Sequence, residues 1–367
     1  KFRFEVIGKF LEKKAHETVL EINLNAVAQN LKAYQSLLKP ETKIMAMVKA
    51  FSYGSGSFEI ANALQYAGLD HLSVAYTDEG IALRKAGIKM PIMVMSPDAS
   101  SFDRMIAWKL EPELYNFRSF DEFLRIARAL EVKKYPVHIK LDTGMHRLGF
   151  EEREIQELIV RIRNNRNLHI QSVFTHLAAT DEAEHDGFTA RQLERFTSMS
   201  DQLQEAFSYP ILRHALNSSG ILRFGEAQFD MVRIGIGLYG FASTMHEQQQ
   251  LQHVATLRTT ISQIKNVPAQ ETVGYGRKGI LRRESVIATV AVGYADGISR
   301  RLSNGVGKML VNGKLAPIVG NVCMDMCMYV SMNLCMYACM YACMGHNTRM
   351  RARAHTHTHT HTNTQAT

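Results

Sequence analysis

The sequence predicts an α/β chain, a (β/α)8 TIM-type barrel followed by a smaller, mostly β domain. Three observations carry this. Eight short β-rich runs alternate with stretches of helical apolar spacing between Lys43 and Gly240. Beyond a polar linker, Gln248-Gln-Gln-Leu-Gln, the runs become short, β-branched and broken by Gly and Pro. The 367 residues, 46% apolar and 21% charged, suffice for two cores. A doubly wound open sheet is the alternative, because periodicity does not show closure.

The runs are, in order, Lys43-Ile-Met-Ala-Met-Val, His71-Leu-Ser-Val-Ala-Tyr, Pro91-Ile-Met-Val-Met and Glu111-Pro-Glu-Leu-Tyr. They continue with Pro136-Val-His-Ile-Lys-Leu, Ile170-Gln-Ser-Val-Phe-Thr-His, Leu212-Arg-His-Ala-Leu and Asp230-Met-Val-Arg-Ile. Between them, stretches such as Phe120-Asp-Glu-Phe-Leu-Arg-Ile-Ala-Arg-Ala-Leu read as helices. In the second domain Ala255-Thr-Leu-Arg-Thr-Thr-Ile, Ser285-Val-Ile-Ala-Thr-Val-Ala-Val and Lys308-Met-Leu-Val-Asn-Gly read as strands. Val311-Asn-Gly-Lys predicts a hairpin, since Asn-Gly suits a type I′ turn.

Composition excludes several classes. The formal charge of +8 includes Arg349, Arg351 and Arg353, which follow the last acidic residue, Asp325. Elsewhere the charges are interspersed, with no basic stripe interleaved with aromatics, so nucleic acid is not an expected partner. No apolar run approaches the roughly 18 residues of a bilayer crossing. The chain opens on Lys1 with no signal-peptide pattern and no initiator Met, so a cytoplasmic protein and a fragment of a longer one are expected. All five cysteines follow position 322, as do eight of the 19 methionines. Cys-x3-Cys intervals could hold zinc. The tandem Met-Tyr-Ala-Cys and His-Thr units are instead what simple nucleotide repeats yield on translation, so no metal is expected. The expected organisation is a linker (1–16), a barrel (17–240), a partial β domain (241–326) and a disordered low-complexity tail (327–367).

Barrel function sits at the C-terminal ends of the strands. Those ends carry Lys49 and Tyr53, then Lys140, Asp142 and Arg147, then His176. Asn217 and Ser218 follow, then Arg233 with the Gly235-Ile236-Gly237 turn. A lysine at the end of an apolar strand is placed to become a desolvated amine and Schiff-base partner. Ser218 and the glycine turn supply a hydroxyl and open N–H groups where barrels recurrently bind phosphate.

Eight segments in order resemble the alanine racemase family. They are Val48-Lys-Ala-Phe-Ser-Tyr-Gly-Ser-Gly, Lys140-Leu-Asp-Thr-Gly-Met-His-Arg-Leu-Gly, Thr175-His-Leu-Ala, Asn217-Ser and Val232-Arg-Ile-Gly-Ile-Gly-Leu-Tyr-Gly. Val273-Gly-Tyr-Gly, Val292-Gly-Tyr-Ala-Asp-Gly and Val322-Cys-Met-Asp complete the set. The wording around Phe51 resembles the racemase half of a fusion in which a muramoyl-tripeptide–D-alanyl-D-alanine ligase comes first. The resemblance covers about residues 17 to 325, and truncation of the β domain beyond it is expected.

The resemblance implies a pyridoxal 5′-phosphate enzyme that racemises alanine for peptidoglycan as a homodimer. It implies that Lys49 holds the cofactor and acts as one acid/base, with Tyr275 of the other copy serving the opposite face. Because a phenol ordinarily ionises near pH 10, a tyrosine base working near neutrality needs cations close by. Arg233 would meet the pyridine nitrogen, and His176 would orient Arg233 and Tyr275. Tyr53, Ser218, Gly235 and Ile236 would hold the phosphate, with Asn217 beside them. Arg147 would meet the substrate carboxylate, positioned by Lys140, which is carbamylated in many relatives. Tyr294 and Met324 would line the substrate entrance. The alternative is a truncated barrel that binds the cofactor without turnover.

Overall fold

A computed structural model of the chain describes residues 18–311, 313–331 and 337–340, the segment 337–340 and Ser331 through their backbone. It divides into two units, Asn23–Val254 and a second made of the N-terminal segment to Ile22 with Ala255 onward. Strand β1 (Val19–Ile22) belongs to the second.

The first unit holds eight strands in one sheet. They are β2 (Lys43–Met47), β3 (His71–Val74), β4 (Ile92–Val94), β5 (Glu111–Leu114), β6 (Tyr135–Lys140), β7 (Leu168–Phe174), β8 (Leu212–His214) and β9 (Met231–Ile234). Six of the expected runs contain their strands, while β6 begins one residue and β7 two residues before the run expected for it. All neighbours are parallel, in the order β9-β2-β3-β4-β5-β6-β7-β8. Between β8 and β9 there is no regular ladder. Single backbone bonds span the gap, Asp230 N–H to Arg213 C=O (3.1 Å) and Arg233 N–H to Leu216 C=O (3.0 Å), so the sheet is a nearly closed barrel. Asn23 starts the first helix (Leu24–Gln35), its Oδ1 accepting from the N–H of Asn25 and Ala26. Met45, Met47, Met93 and Met231 pack around Phe174 in a buried cluster. Flexible thioethers suit a cavity of irregular shape.

The second unit is antiparallel. The long strand β10 (Ala255–Val267) precedes β11 (Thr272–Val273), β12 (Gly279–Ile280), β13 (Ser285–Val290), β14 (Lys308–Val311) and β15 (Lys314–Pro317). β16 (Cys327–Ser331) and β17 (Tyr337–Met340) complete it. β10 pairs with β1, β13 and β17, and β13 with β16. Val311 pairs with Lys314 across a two-residue turn in which Gly313 has φ +76°, as the hairpin signal requires.

The structure differs from the sequence reading at three places. β1 pairs with β10, so residues 19–22 leave the barrel for the β unit. The division falls at Val254/Ala255, because the 241–254 segment packs with the barrel; buried Asn30 donates to the Gln252 C=O and accepts from its N–H. The expected tail begins inside the β core. Cys327 and Tyr329 are fully buried beside Val290, Val292 and Met309, while Met328 and Val330 pack on a second cluster with Leu281 and Ile287. That is the two-residue alternation of a strand buried on both faces, hidden in sequence by the Cys-Met repetition. The rest of the expected tail, 332–336 and 341–367, lies outside the described residues, as does the 1–16 linker.

Candidate active site at the barrel rim

Lys49 follows β2 directly and heads an unusual turn. Ala50, Phe51, Ser52 and Tyr53 all have φ between 51° and 56°, one turn of left-handed helix. L-residues disfavour this conformation by roughly 1–2 kcal/mol each, so something must hold it. Glu79 does part of that work, accepting from the Ala50 N–H at 2.7 Å and from the Ala75 N–H at 2.7 Å. Burial, then the Arg147 charge, pushes the Lys49 ammonium below the usual lysine range, with Lys140 adding to the effect. Among the described residues Lys49 has no ion-pair partner.

Arg233 on β9 is buried, and its guanidinium is nearly saturated. Nη1 donates to His214 Nδ1 (2.7 Å) and to the His214 C=O (3.1 Å). Nη2 donates to the C=O of Thr175 (2.7 Å) and Ala215 (2.8 Å). Nε has no partner among the described residues. Burial lowers its pKa to about 10, which leaves it charged at neutral pH. His176, expected to orient Arg233, is not among its hydrogen-bond partners. Its ring is held neutral, with a pKa lowered to about 3 by burial and by Arg233, Arg147, Lys140 and Lys49. The histidine that grips Arg233 is His214, which the sequence offered only as part of a strand.

The Ser218 hydroxyl accepts from the N–H of Gly235 (2.9 Å) and of Gly237 (3.4 Å). Ser218 is the first residue of the helix Ser218–Arg223, capped by Asn217, whose Oδ1 accepts from Gly220 N–H and Thr180 Oγ1, each at 2.8 Å. Asn217 therefore shapes the cradle through its cap. A side chain at Gly235 would begin 3.0 Å from the Tyr53 hydroxyl, so the turn after Lys49 meets the turn after β9. At Gly237 it would begin 1.9 Å from the buried Tyr34 hydroxyl, and only glycine fits. Ile236 lies between them, 44% exposed. The Tyr53 and Ser218 hydroxyls, with the glycine turn whose Gly235 and Gly237 N–H groups Ser218 accepts from, form the candidate anion cradle.

Lys140 closes β6, and its Nζ lies 3.0 Å from Oε1 of Glu113 on β5, both side chains buried. The Phe174 ring has Lys140 Nζ 5.5 Å and the Arg233 guanidinium 5.3 Å from its centre, with His214 stacked on it at 4.9 Å. Arg147 sits in the exposed loop that follows. Asp142 pins that loop by accepting from the N–H of Gly144 and His146, both at 3.0 Å. The bond from Phe150 N–H to Lys140 C=O (2.8 Å) closes its base. Glu79, Glu113 and Tyr34 were not singled out in the sequence. Each acts through contacts between segments distant in sequence, which leave no local pattern.

In the β unit, Tyr275 is 75% exposed and borders a cleft of about 430 Å³ with Tyr294, Arg300, Asn321 and Met324. Asn321 Nδ2 donates to the Tyr275 C=O at 3.1 Å. The structure thus gathers Tyr275, Tyr294 and Met324 in one unit and the remaining site residues in the other.

A partly desolvated lysine, a buried arginine whose Nε has no partner among the described residues and a candidate anion cradle thus stand at the C-terminal rim of one barrel, the arrangement of a barrel enzyme. The comparisons agree. The family described as "Alanine racemase, N-terminal domain" matches residues 22–243, and "Alanine racemase, C-terminal domain" matches 254–358. Alanine racemase 1 of Oceanobacillus iheyensis is 36% identical over 310 residues, covering 83% of this chain and 82% of its own. The solved alanine racemase of Clostridium difficile 630 matches with a TM-score of 0.81 and 32% identity over 88% and 86% of the two chains. That of Bartonella henselae, solved with covalently bound pyridoxal phosphate, matches at 0.80 and 28% over 90% and 91%. The chain belongs to the alanine racemase family. The residues present fit that family's cofactor. Lys49 suits an aldehyde, the free Arg233 Nε a ring nitrogen, and the Ser218, Gly235 and Tyr53 cradle a phosphate.

Proposed function

We propose that this chain interconverts L-alanine and D-alanine with pyridoxal 5′-phosphate at the barrel rim. The observation that carries the reading is the Lys49 amine, without an ion pair and kept below its usual pKa by burial and Arg147. Lowering its pKa raises the neutral, nucleophilic fraction of the amine, which once free serves as a base. The bound cofactor supplies the conjugation that acidifies an amino acid's α proton.

Arg233, charged at neutral pH, offers a donor and no acceptor at Nε, so a cofactor ring nitrogen held there would be kept unprotonated. That would limit electron withdrawal and suppress side reactions such as transamination. Tyr53, Ser218, Gly235 and Ile236 hold the phosphate, with Asn217 bracing Ser218. Arg147 meets the substrate carboxylate beside Lys140, and Tyr294 and Met324 line the approach. Racemisation removes a proton from one face of Cα and returns one to the other, so it needs two groups. Lys49 is one. Tyr275 is the second, contributed by another copy of the chain in a homodimer. The setting is the cytoplasm and the product feeds peptidoglycan. No helix among the described residues is long and apolar enough to cross a membrane. The comparisons give no support to a barrel without turnover.

The loaded protein is expected to show the absorbance of lysine-bound cofactor, absent in Lys49→Ala, and to convert L- to D-alanine in a chirally resolved assay. Loading without conversion, or an unchanged band in Lys49→Ala, rejects the reading. Mixing Lys49→Ala with Tyr275→Phe subunits restores activity if Tyr275 works across a dimer, and does not if it works within one copy.

A further inference from the structure

Two lysines stand at the rim, and only one has a counter-charge. Lys140 Nζ is 3.0 Å from Glu113 Oε1, and Glu113 is completely buried. Among the described residues, no other carboxylate lies within ion-pair distance of Lys49, Lys140, Arg147 or Arg233. Among the described residues neither Glu113 oxygen has a conventional hydrogen-bond partner, and the Lys140 ammonium is its one ion-pair partner. A buried cation and a buried anion each need the other, because burying either charge unpaired is strongly unfavourable.

We propose that Glu113 is a selectivity-determining residue, holding Lys140 as an ammonium ion so that carbonyl electrophiles entering the rim react with Lys49 alone. The chemistry is that of the nitrogen lone pair. An amine attacks an aldehyde or CO2 only when neutral, and an ammonium ion has no lone pair to give. With CO2 the step forms one N–C bond, moves one C=O π pair onto oxygen and releases one N–H proton to solvent, leaving a carbamate. Glu113 closes that route at Lys140. Lys49, lacking any such partner, stays open to the cofactor aldehyde, and Lys140 stays unmodified beside Arg147.

The charges facing Glu113 are Lys140 on β6, Arg233 on β9 and Arg147 in the loop after β6, each favouring its ionised form. Burial opposes them and pushes the carboxyl up to about 7. The pair is therefore read above neutrality.

This inference rests on the proposed cofactor chemistry only for its biological meaning, and its test needs neither cofactor nor turnover. The full chain is incubated at pH 8 with 13C-bicarbonate, and carbamate is sought by 13C NMR and by mass mapping after trapping. The wild-type protein is expected to show none at Lys140. Glu113→Gln is expected to gain one carbamate resonance, absent from Glu113→Gln/Lys140→Arg. A carbamate at Lys140 in the wild-type protein overturns the proposal without recourse to any variant. So does a Glu113→Gln protein that matches the wild type in circular dichroism yet gains no resonance. If Glu113→Gln does not fold, Glu113→Asp, which keeps the charge but shortens its reach, is expected to gain partial carbamate, and its absence counts against the proposal.

Discussion

Arg233 donates from Nη1 to His214 Nδ1 at 2.7 Å, and this one bond sets the direction of a buried chain of hydrogen bonds. Because Nδ1 accepts and the ring is held neutral by burial, the proton of His214 lies on Nε2. Nε2 then donates to Ser172 Oγ (2.9 Å), which leaves the Ser172 proton for His138 Nδ1 (2.6 Å). His138 Nε2 in turn donates to Glu111 Oε2 (2.8 Å). Five side chains thus tie the guanidinium to a carboxylate three strands away from β8.

Ser172→Ala cuts that chain in the middle and leaves two buried ring nitrogens unpaired. An unsatisfied buried group costs about 1–3 kcal/mol. The expected result is a thermal midpoint lower by several degrees, with weaker cofactor retention, since Arg233 loses the brace behind His214. A cofactor dissociation constant equal to that of the wild type would show that Arg233 is held by its carbonyl contacts alone.

Gly237→Ala places a methyl group against Tyr34, and overpacking of this kind typically costs about 1–3 kcal/mol. The ring Cζ, not only the hydroxyl, lies within 2.6 Å of the new carbon. Tyr34→Phe is therefore not expected to rescue the variant in urea denaturation. Full rescue would mean that the hydroxyl alone fills the space.

Acid should weaken the barrel. Burial lowers His71 to about 4, His176 to about 3 and His214 well below its usual range, whereas the unfolded rings titrate near 6.5. Below pH 6.5 the unfolded chain binds protons that the folded rings refuse, so stability falls as pH drops. Glu113 acts in the opposite sense: raised to about 7, it favours the folded state at low pH and loses that contribution as pH rises through 7. Three histidines against one carboxyl set the net direction. The denaturant midpoint of the first unit is expected to be lower at pH 5 than at pH 7, with proton uptake on unfolding measurable by calorimetry in two buffers.

Tyr275→Phe removes the second acid/base group and leaves the barrel untouched. General acid–base groups contribute typically 10²- to 10⁴-fold, so turnover should fall by that range while the absorbance of lysine-bound cofactor persists. The pH–rate profiles should change differently for the L-to-D and D-to-L directions. Profiles unchanged in both directions would falsify the role.

The barrel was legible because most of its strands are short, largely buried runs, and the alternation with helices repeats eight times. The rim lysines and arginines were legible because strand ends are where barrels place chemistry. What stayed hidden were relations across the sheet. Glu113 looks like any acidic residue in Glu111-Pro-Glu-Leu-Tyr until β5 lies beside β6 and aims it at Lys140. His214 replaced His176 at Arg233 because sequence shows that both end strands and not which way either ring turns. β16 was missed for a different reason, since a Cys-Met repeat masks the period of two that buries Cys327 and Tyr329.

The turn after Lys49 has one more implication, and it concerns handedness. Ala50 sits at φ 52°, ψ 51°, the mirror image of an ordinary helical residue. For a residue of opposite configuration that backbone is relaxed. A semisynthetic chain with D-alanine at position 50 should therefore be more stable than the natural one by about 1 kcal/mol. The backbone beside the reactive lysine already favours the stereoisomer that the proposed reaction makes.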